Sequence, residues 1–114
     1  MRTGILTLVS LLTCVYAHAG TVTEATITRL EAETKGLFTF YLSTPISGGP
    51  ACASQPASAF VVDGASDGGR VVIALISMAY TLRQPVRVSG NNTCSLLAGI
   101  ETLSKVSTVV QPTF

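Results

Sequence analysis

The chain has no tryptophan, one histidine, and aromatic residues at only 6% of its 114 positions. The histidine, His18, falls in a segment that reads as a removable leader, so the exported remainder has none. Without histidine the usual general base is missing, and so is the Ser-His-Asp arrangement. Charge is sparse as well, at 11% of residues. Arg2 goes with the leader. The remaining basic residues, Arg29, Lys35, Arg70, Arg83, Arg87 and Lys105, are balanced by Glu24, Glu31, Glu33, Asp63, Asp67 and Glu101. No basic stripe is left to neutralise phosphates, which sets nucleic-acid binding aside. No apolar run reaches the roughly 20 residues a permanent span needs. A neutral surface rich in Ser, Thr, Ala and Gly opposes association only weakly, so it suits neutral partners or copies of itself.

The N-terminus is the most legible part. Met1-Arg2 is a basic start, Ile5 to Val15 is an apolar run broken only by Thr and Ser, and Ala17-His18-Ala19 is a small-x-small cleavage site. This is the layout of a secretory signal peptide. Residues 1–19 are expected to be removed, leaving Gly20 first in a secreted or periplasmic chain with no membrane span. The alternatives are a permanent anchor and a lipoprotein signal at Cys14. Against the anchor, the polar Thr21-Val22-Thr23-Glu24 follows the apolar run at once. Against the lipoprotein, Thr13 is a poor residue before a lipidated cysteine.

Residues 20–114 make a single domain; the length leaves no room for two. So small a domain has a thin margin of stability. Export takes Cys14 away and leaves Cys52 and Cys94 in an oxidising compartment, where a disulfide is expected. They lie about 40 residues apart, and closing such a loop stabilises by about 4 kcal/mol in the chain-entropy model.

Thr21 to Thr34 reads as a first strand, with a bulge near Thr28-Arg29 where the apolar parity switches. Lys35-Gly36 is a tight turn. From Leu37 to Ser43, Phe38, Phe40 and Leu42 share one face, and Leu37, Thr39 and Tyr41 the other, so the two strands form a hairpin. Pro45 to Pro56 is a loop, Ser58 to Val62 a third strand and Asp63 to Gly69 a turn. Ser66 or Asp67 can cap a helix over Arg70 to Leu82. Its apolar stripe, Val71, Leu75, Met78, Ala79 and Leu82, is widened by Val72, Ile73 and Ile76, so one face lacks a partner unless the helix is mostly buried. Pro85 ends it. Val86 to Ser89 and Ile100 to Val110 are the last two strands, the latter apolar on neither face and so uncertain in register. The chain is therefore mainly β with one helix, in the order β-β-β-α-β-β, which is the layout of a five-stranded OB-fold barrel.

The candidate sites are modest. Asp63 and Asp67 flank Ser66 but supply too few ligands for a calcium loop. Gly68-Gly69-Arg70 is a weak anion-binding signal. No catalytic residue, metal or cofactor is expected. Two features suit binding. Tyr41, opposite the phenylalanine face, offers a flat ring with a polar tip for stacking on a sugar or a partner side chain. Ser89-Gly90-Asn91-Asn92-Thr93, braced by Cys94, offers the amides of Asn91 and Asn92 as neutral hydrogen-bonding groups. Plain sheet surface and plain turn chemistry are the alternative readings of the two.

The helix and its exit resemble a known segment. Thr81-Leu82-Arg83-Gln84-Pro85-Val86-Arg87 is similar to the "Thr-Gly-Gln-Pro-Val-Arg" turn between helix and strand in the B-subunits of subtilase-type and pertussis-like bacterial toxins. Val86-Arg87-Val88-Ser89-Gly90 followed by Cys94 also resembles the "Val-x-Val-x-Gly" strand of a broader group of small exported bacterial proteins. The resemblance runs from the helix to Cys94, takes in Cys52 loosely, and leaves out the first hairpin. It implies an OB-fold, a ring of five copies, and recognition of cell-surface glycans. It further implies that the helix, with Val72, Ile73 and Ile76, lines an interface between copies. No glycan-contacting residue of those toxins has a match to carry over, and the aromatic-rich segment expected after Cys94 is missing. The expected function is a non-catalytic exported binding module for a glycan or a partner protein. The alternative is a monomeric periplasmic or envelope accessory protein that binds no sugar.

Overall fold

The computed structural model describes residues 19–53 and 58–109; the leader, residues 1–18, lies outside them, as do 54–57 and 110–114. The elements run β1 (Thr21–Ala25), β2 (Ile27–Ala32), β3 (Leu37–Leu42), β4 (Ala59–Asp63), α1 (Asp67–Leu82), β5 (Val86–Gly90) and β6 (Glu101–Thr108). All six strands belong to one sheet, in the order β1-β5-β6-β4-β3-β2. Every neighbouring pair is antiparallel except β4 and β6, which run parallel.

The expectation of mainly β structure with one helix holds, but the described residues form six strands where five were expected. Thr26 divides the first one. Its N–H donates to Ser43 Oγ (3.1 Å), and its carbonyl accepts from the Ser43 N–H (2.9 Å). Thr26 is thereby taken out of the ladder. The chain before it pairs with β5 and the chain after it with β3. The register also slips between Ile27 and Arg29, where the parity of the apolar residues changes in the sequence. Because one residue separates the two edge strands, the sheet has to curl, giving a half-barrel whose concave side holds most of the core.

That core contains Val22, Ala25, Ile27, Phe40, Leu42, Phe60, Val62, Ile76, Ala79, Val86, Val88 and Val106. Phe40 and Phe60 are cross-strand partners with ring centroids 6.0 Å apart. A second, smaller cluster lies on the other face of β4. Ala59, Val61 and Ile100 are buried there against Leu37, Tyr41, Leu96 and Leu97. The cover comes from the long connection between β5 and β6. The disulfide Cys52–Cys94, with Cα atoms 6.1 Å apart, ties that connection to the loop after β3. In β6 the register slips between Lys105 and Leu103, so Leu103 and Val106 both turn towards the main core despite their odd spacing.

The helix begins three residues earlier than the spacing indicates. Ser66 is its N-cap, accepting the Gly69 N–H on Oγ at 2.9 Å, and Asp67 sits in the first turn, where a negative charge is favourable. Arg83 closes the helix in the left-handed region (φ 54°), and its N–H bonds to Tyr80 O. Gly69 lets the helix dock, because a Cβ there would overlap the Asp63 carbonyl oxygen and crowd Ser66 Oγ. Gly68, its neighbour, faces open space. Gly69→Ala is therefore expected to cost about 1–3 kcal/mol in a urea titration. Gly68→Ala should be neutral or stabilise by up to about 1 kcal/mol.

Candidate binding surfaces

Tyr41 is placed by β3, between Arg29 of β2 and Ala59 of β4. As expected, it faces away from Phe40. That face is not open sheet surface, however, since the ring packs on the second cluster. Arg29 stacks its guanidinium over the ring at 4.9 Å from the centroid, and the hydroxyl donates to Glu31 Oε1 at 3.0 Å. Arg29 and Glu31 are themselves ion-paired. Burial pushes the hydroxyl above its ordinary value, and the hydrogen bond and negative charge of Glu31 push the same way, against Arg29. Arg29, Glu31 and Tyr41 thus form one interlocked group, reachable by a partner at its rim.

Asn91 Oδ1 accepts from both the N–H (3.0 Å) and the hydroxyl (2.7 Å) of Thr93, a local turn that occupies the amide oxygen. Asn92 holds a left-handed backbone (φ 68°), and its N–H donates to Glu101 Oε2 at 2.8 Å. Both side chains are exposed. Glu101 pairs with Phe60, and Tyr41 with Ala59, so turn and tyrosine lie towards the same end of the β3-β4-β6 region. No hydrogen bond among the described residues joins them.

On α1, Ile76 is wholly inside the core of its own chain, and Val72 and Ile73 are half-buried against it. The outward apolar residues are others: Val71 (71% exposed), Leu82 (64%), Met78 (44%) and Tyr80 (42%). Val71, Met78 and Leu82 follow at i, i+7 and i+11, with Leu75 between them, and so make one stripe beside the core-facing side. All four exposed large apolar residues of the described structure sit on this helix.

A further surface is not apparent from the motifs. On the convex side of β1, β5 and β6 a groove of about 320 Å³ is lined by Thr21, Thr23, Arg87, Ser89, Lys105 and Ser107, floored by Val22 and Val88. Strand alternation puts Val22, Val86, Val88 and Val106 inside and the hydroxyls and two cations outside. Arg87 is steadied by donating from Nε to Thr23 O at 3.4 Å. The signal was present in the alternation of Val86-Arg87-Val88-Ser89. Only the antiparallel register, with Arg87 opposite Ser107 and Ser89 opposite Lys105, brings the two cations together.

Among the described residues no group of three or more His, Cys, Asp or Glu could hold a metal ion, and no helix is long and apolar enough to cross a membrane. The disulfide suits an oxidising compartment. Compared with known protein families, curated proteins and solved structures, the chain matches none.

In a spectrophotometric titration of residues 20–114, Tyr41 is expected to ionise above the ordinary value of 10.0. Glu31→Gln should return it only part of the way, since burial is the larger cause. The sign follows from linkage: a raised folded value gives stability fully present below pH about 10 and lost as pH rises through the folded value.

Proposed function

We propose that this is an exported, non-catalytic binding module that assembles with copies of itself, a homopentamer by its resemblance to toxin B-subunits, and recognises a glycan or a partner protein. The observation that carries this reading is the exposed stripe Val71, Met78 and Leu82 on α1. A domain with so little charge has little to counter the cost of leaving such a stripe in water, and packing it on a second copy removes that cost. The strand order supports the OB-fold half of the reading. With β1 and β2 counted as one bent strand, the first strand reaches both neighbours of a five-stranded barrel, the helix falls between the third and fourth strands, and the third and fifth run parallel.

The resemblance places the helix at the centre of the ring, which leaves the strands facing outward. The groove between Arg87 and Lys105 is then the natural recognition surface. Four hydroxyls suit a sugar, and two cations suit an acidic one. The Tyr41 group and the Asn91-Asn92 turn offer a second surface for a protein partner. The rival is a monomeric accessory protein of the envelope that binds no sugar, and the occupied hydroxyl and covered face of Tyr41 favour it.

The native mass of oxidised Gly20–Phe114 at low micromolar concentration decides between them. The expected result is five copies, reduced to one by Leu82→Glu with the fold intact by circular dichroism. A monomeric parent chain would hand the reading to the accessory protein. On an array of neutral and acidic glycans, Arg87→Ala with Lys105→Ala is expected to lower binding at least about tenfold, as loss of charge-assisted bonds implies.

A further inference from the structure

Glu101 is the one charged side chain of the described core, with none of its surface exposed. Its carboxyl accepts the Gly20 N–H on both oxygens, each at 3.1 Å, and the Asn92 N–H on Oε2 at 2.8 Å. Glycine walls surround it. A Cβ on Gly90 would overlap the carboxyl carbon, one on Gly20 would come within 2.5 Å of Oε1, and one on Gly49 within 3.4 Å. The two ion pairs of the described residues, Arg29–Glu31 and Arg70–Asp67, do not involve it. A buried carboxylate is costly unless a cation meets it. The donor shared by both of its oxygens is the backbone nitrogen of Gly20, the residue expected to follow the leader's cleavage site.

We propose that cleavage between Ala19 and Gly20 makes the missing cation, and that the new α-ammonium of Gly20 forms a buried ion pair with Glu101. Hydrolysis of the Ala19–Gly20 peptide bond by a leader-removing protease uses one water. Ala19 leaves as a carboxylate, and the Gly20 nitrogen becomes an amine that takes up a proton at neutral pH. No atom need move far. The nitrogen already lies 3.1 Å from both carboxylate oxygens. It is held there because Gly20 O accepts from the Gly90 N–H (2.9 Å) and Thr21 exchanges two backbone bonds with Ser47 (3.0 and 2.9 Å). One amide hydrogen, shared between two oxygens, is replaced by three on a charged group. The pair links the start of β1, the end of β5 and the start of β6, so leader removal completes the fold as well as releasing it. The glycine at position 20 follows from the same geometry, since any side chain would collide with Glu101 and Ile46. The proposal rests on the cleavage position and not on what the domain binds.

Intact mass of the full chain after export from a secreting host tests the first part; the expected mature chain starts at Gly20 with a free amine, and a start elsewhere overturns the proposal. The second part compares thermal midpoints of Gly20–Phe114, which holds every strand and the helix of the described residues, and the same chain retaining Ala19. The shorter chain is expected to melt at least about 5 °C higher. With Glu101→Gln in both, the difference should vanish. Equal midpoints in the parent pair, or a gap that survives Glu101→Gln, would sink the idea. Should the Glu101→Gln chains not fold, acylation of the α-amine gives an independent readout. Gly20–Phe114 is expected to react at least about tenfold more slowly folded than in denaturant, the factor that one pKa step of protection corresponds to. The Ala19-starting chain should not, and equal rates in Gly20–Phe114 would overturn the pairing.

Discussion

One corner holds this fold together. Ala25 ends one edge strand of the sheet and Ile27 begins the strand at the other edge, with Thr26 alone between them. A flat six-stranded sheet would hold its edges more than 20 Å apart at about 4.8 Å per strand, a distance one residue cannot bridge. The sheet must therefore curl until its edges meet. The curl gives the concave side a closed set of neighbours for Phe40, Phe60 and Ile76, and α1 lies along that core. The corner is fastened by backbone and hydroxyl bonds between Thr26 and Ser43, which compensate for the ladder bonds the bend gives up.

The curl alone does not explain why β4 is buried from Ala59 through Val62 on both faces. A strand with one face in water would alternate, whereas Ala59-Phe60-Val61-Val62 does not. The second face is covered by the connection that carries Leu96 and Leu97, a stretch with little regular pairing of its own. Such a stretch is costly to order. The disulfide lowers that cost by fixing its start to the loop after β3. Fold and candidate surface are coupled here, because the bridge that holds the cover lies two residues from the Asn91-Asn92 turn.

Polar chemistry is distributed by the same logic. The convex face of β1, β5 and β6 carries hydroxyls and two cations because the valines between them are turned inward. Arg29, Glu31 and Tyr41 satisfy one another at the half-barrel's other edge. Glu101 departs from this pattern, as a charge placed inside where the ends of three strands meet. The apolar stripe of α1 departs in the opposite sense, as an apolar surface placed outside. On these two departures from good burial rest the proposed self-association and the proposed ion pair with Gly20.

The sequence by itself determined most of the elements, though not the division of the first strand in two. The alternation of Leu37 to Ser43, a cap at Ser66 or Asp67, the stop at Pro85 and the pairing of Cys52 with Cys94 depend on neighbours in the chain or on a count of thiols, and they are legible without a fold. The parity change near Thr28-Arg29 announced an irregularity, but whether it bulged one strand or split it in two depended on Ser43, which tertiary contact brings to Thr26. Spacing made the helix too apolar for one face without saying which residues stay outside. Contact with the sheet placed Ile76 in and Val71 and Leu82 out. The register of β6, the gathering of Arg87 with Lys105 and the cage around Glu101 all depend on pairings between distant segments. Local periodicity carries no information about which strand lies alongside which, so these features came only from the tertiary structure.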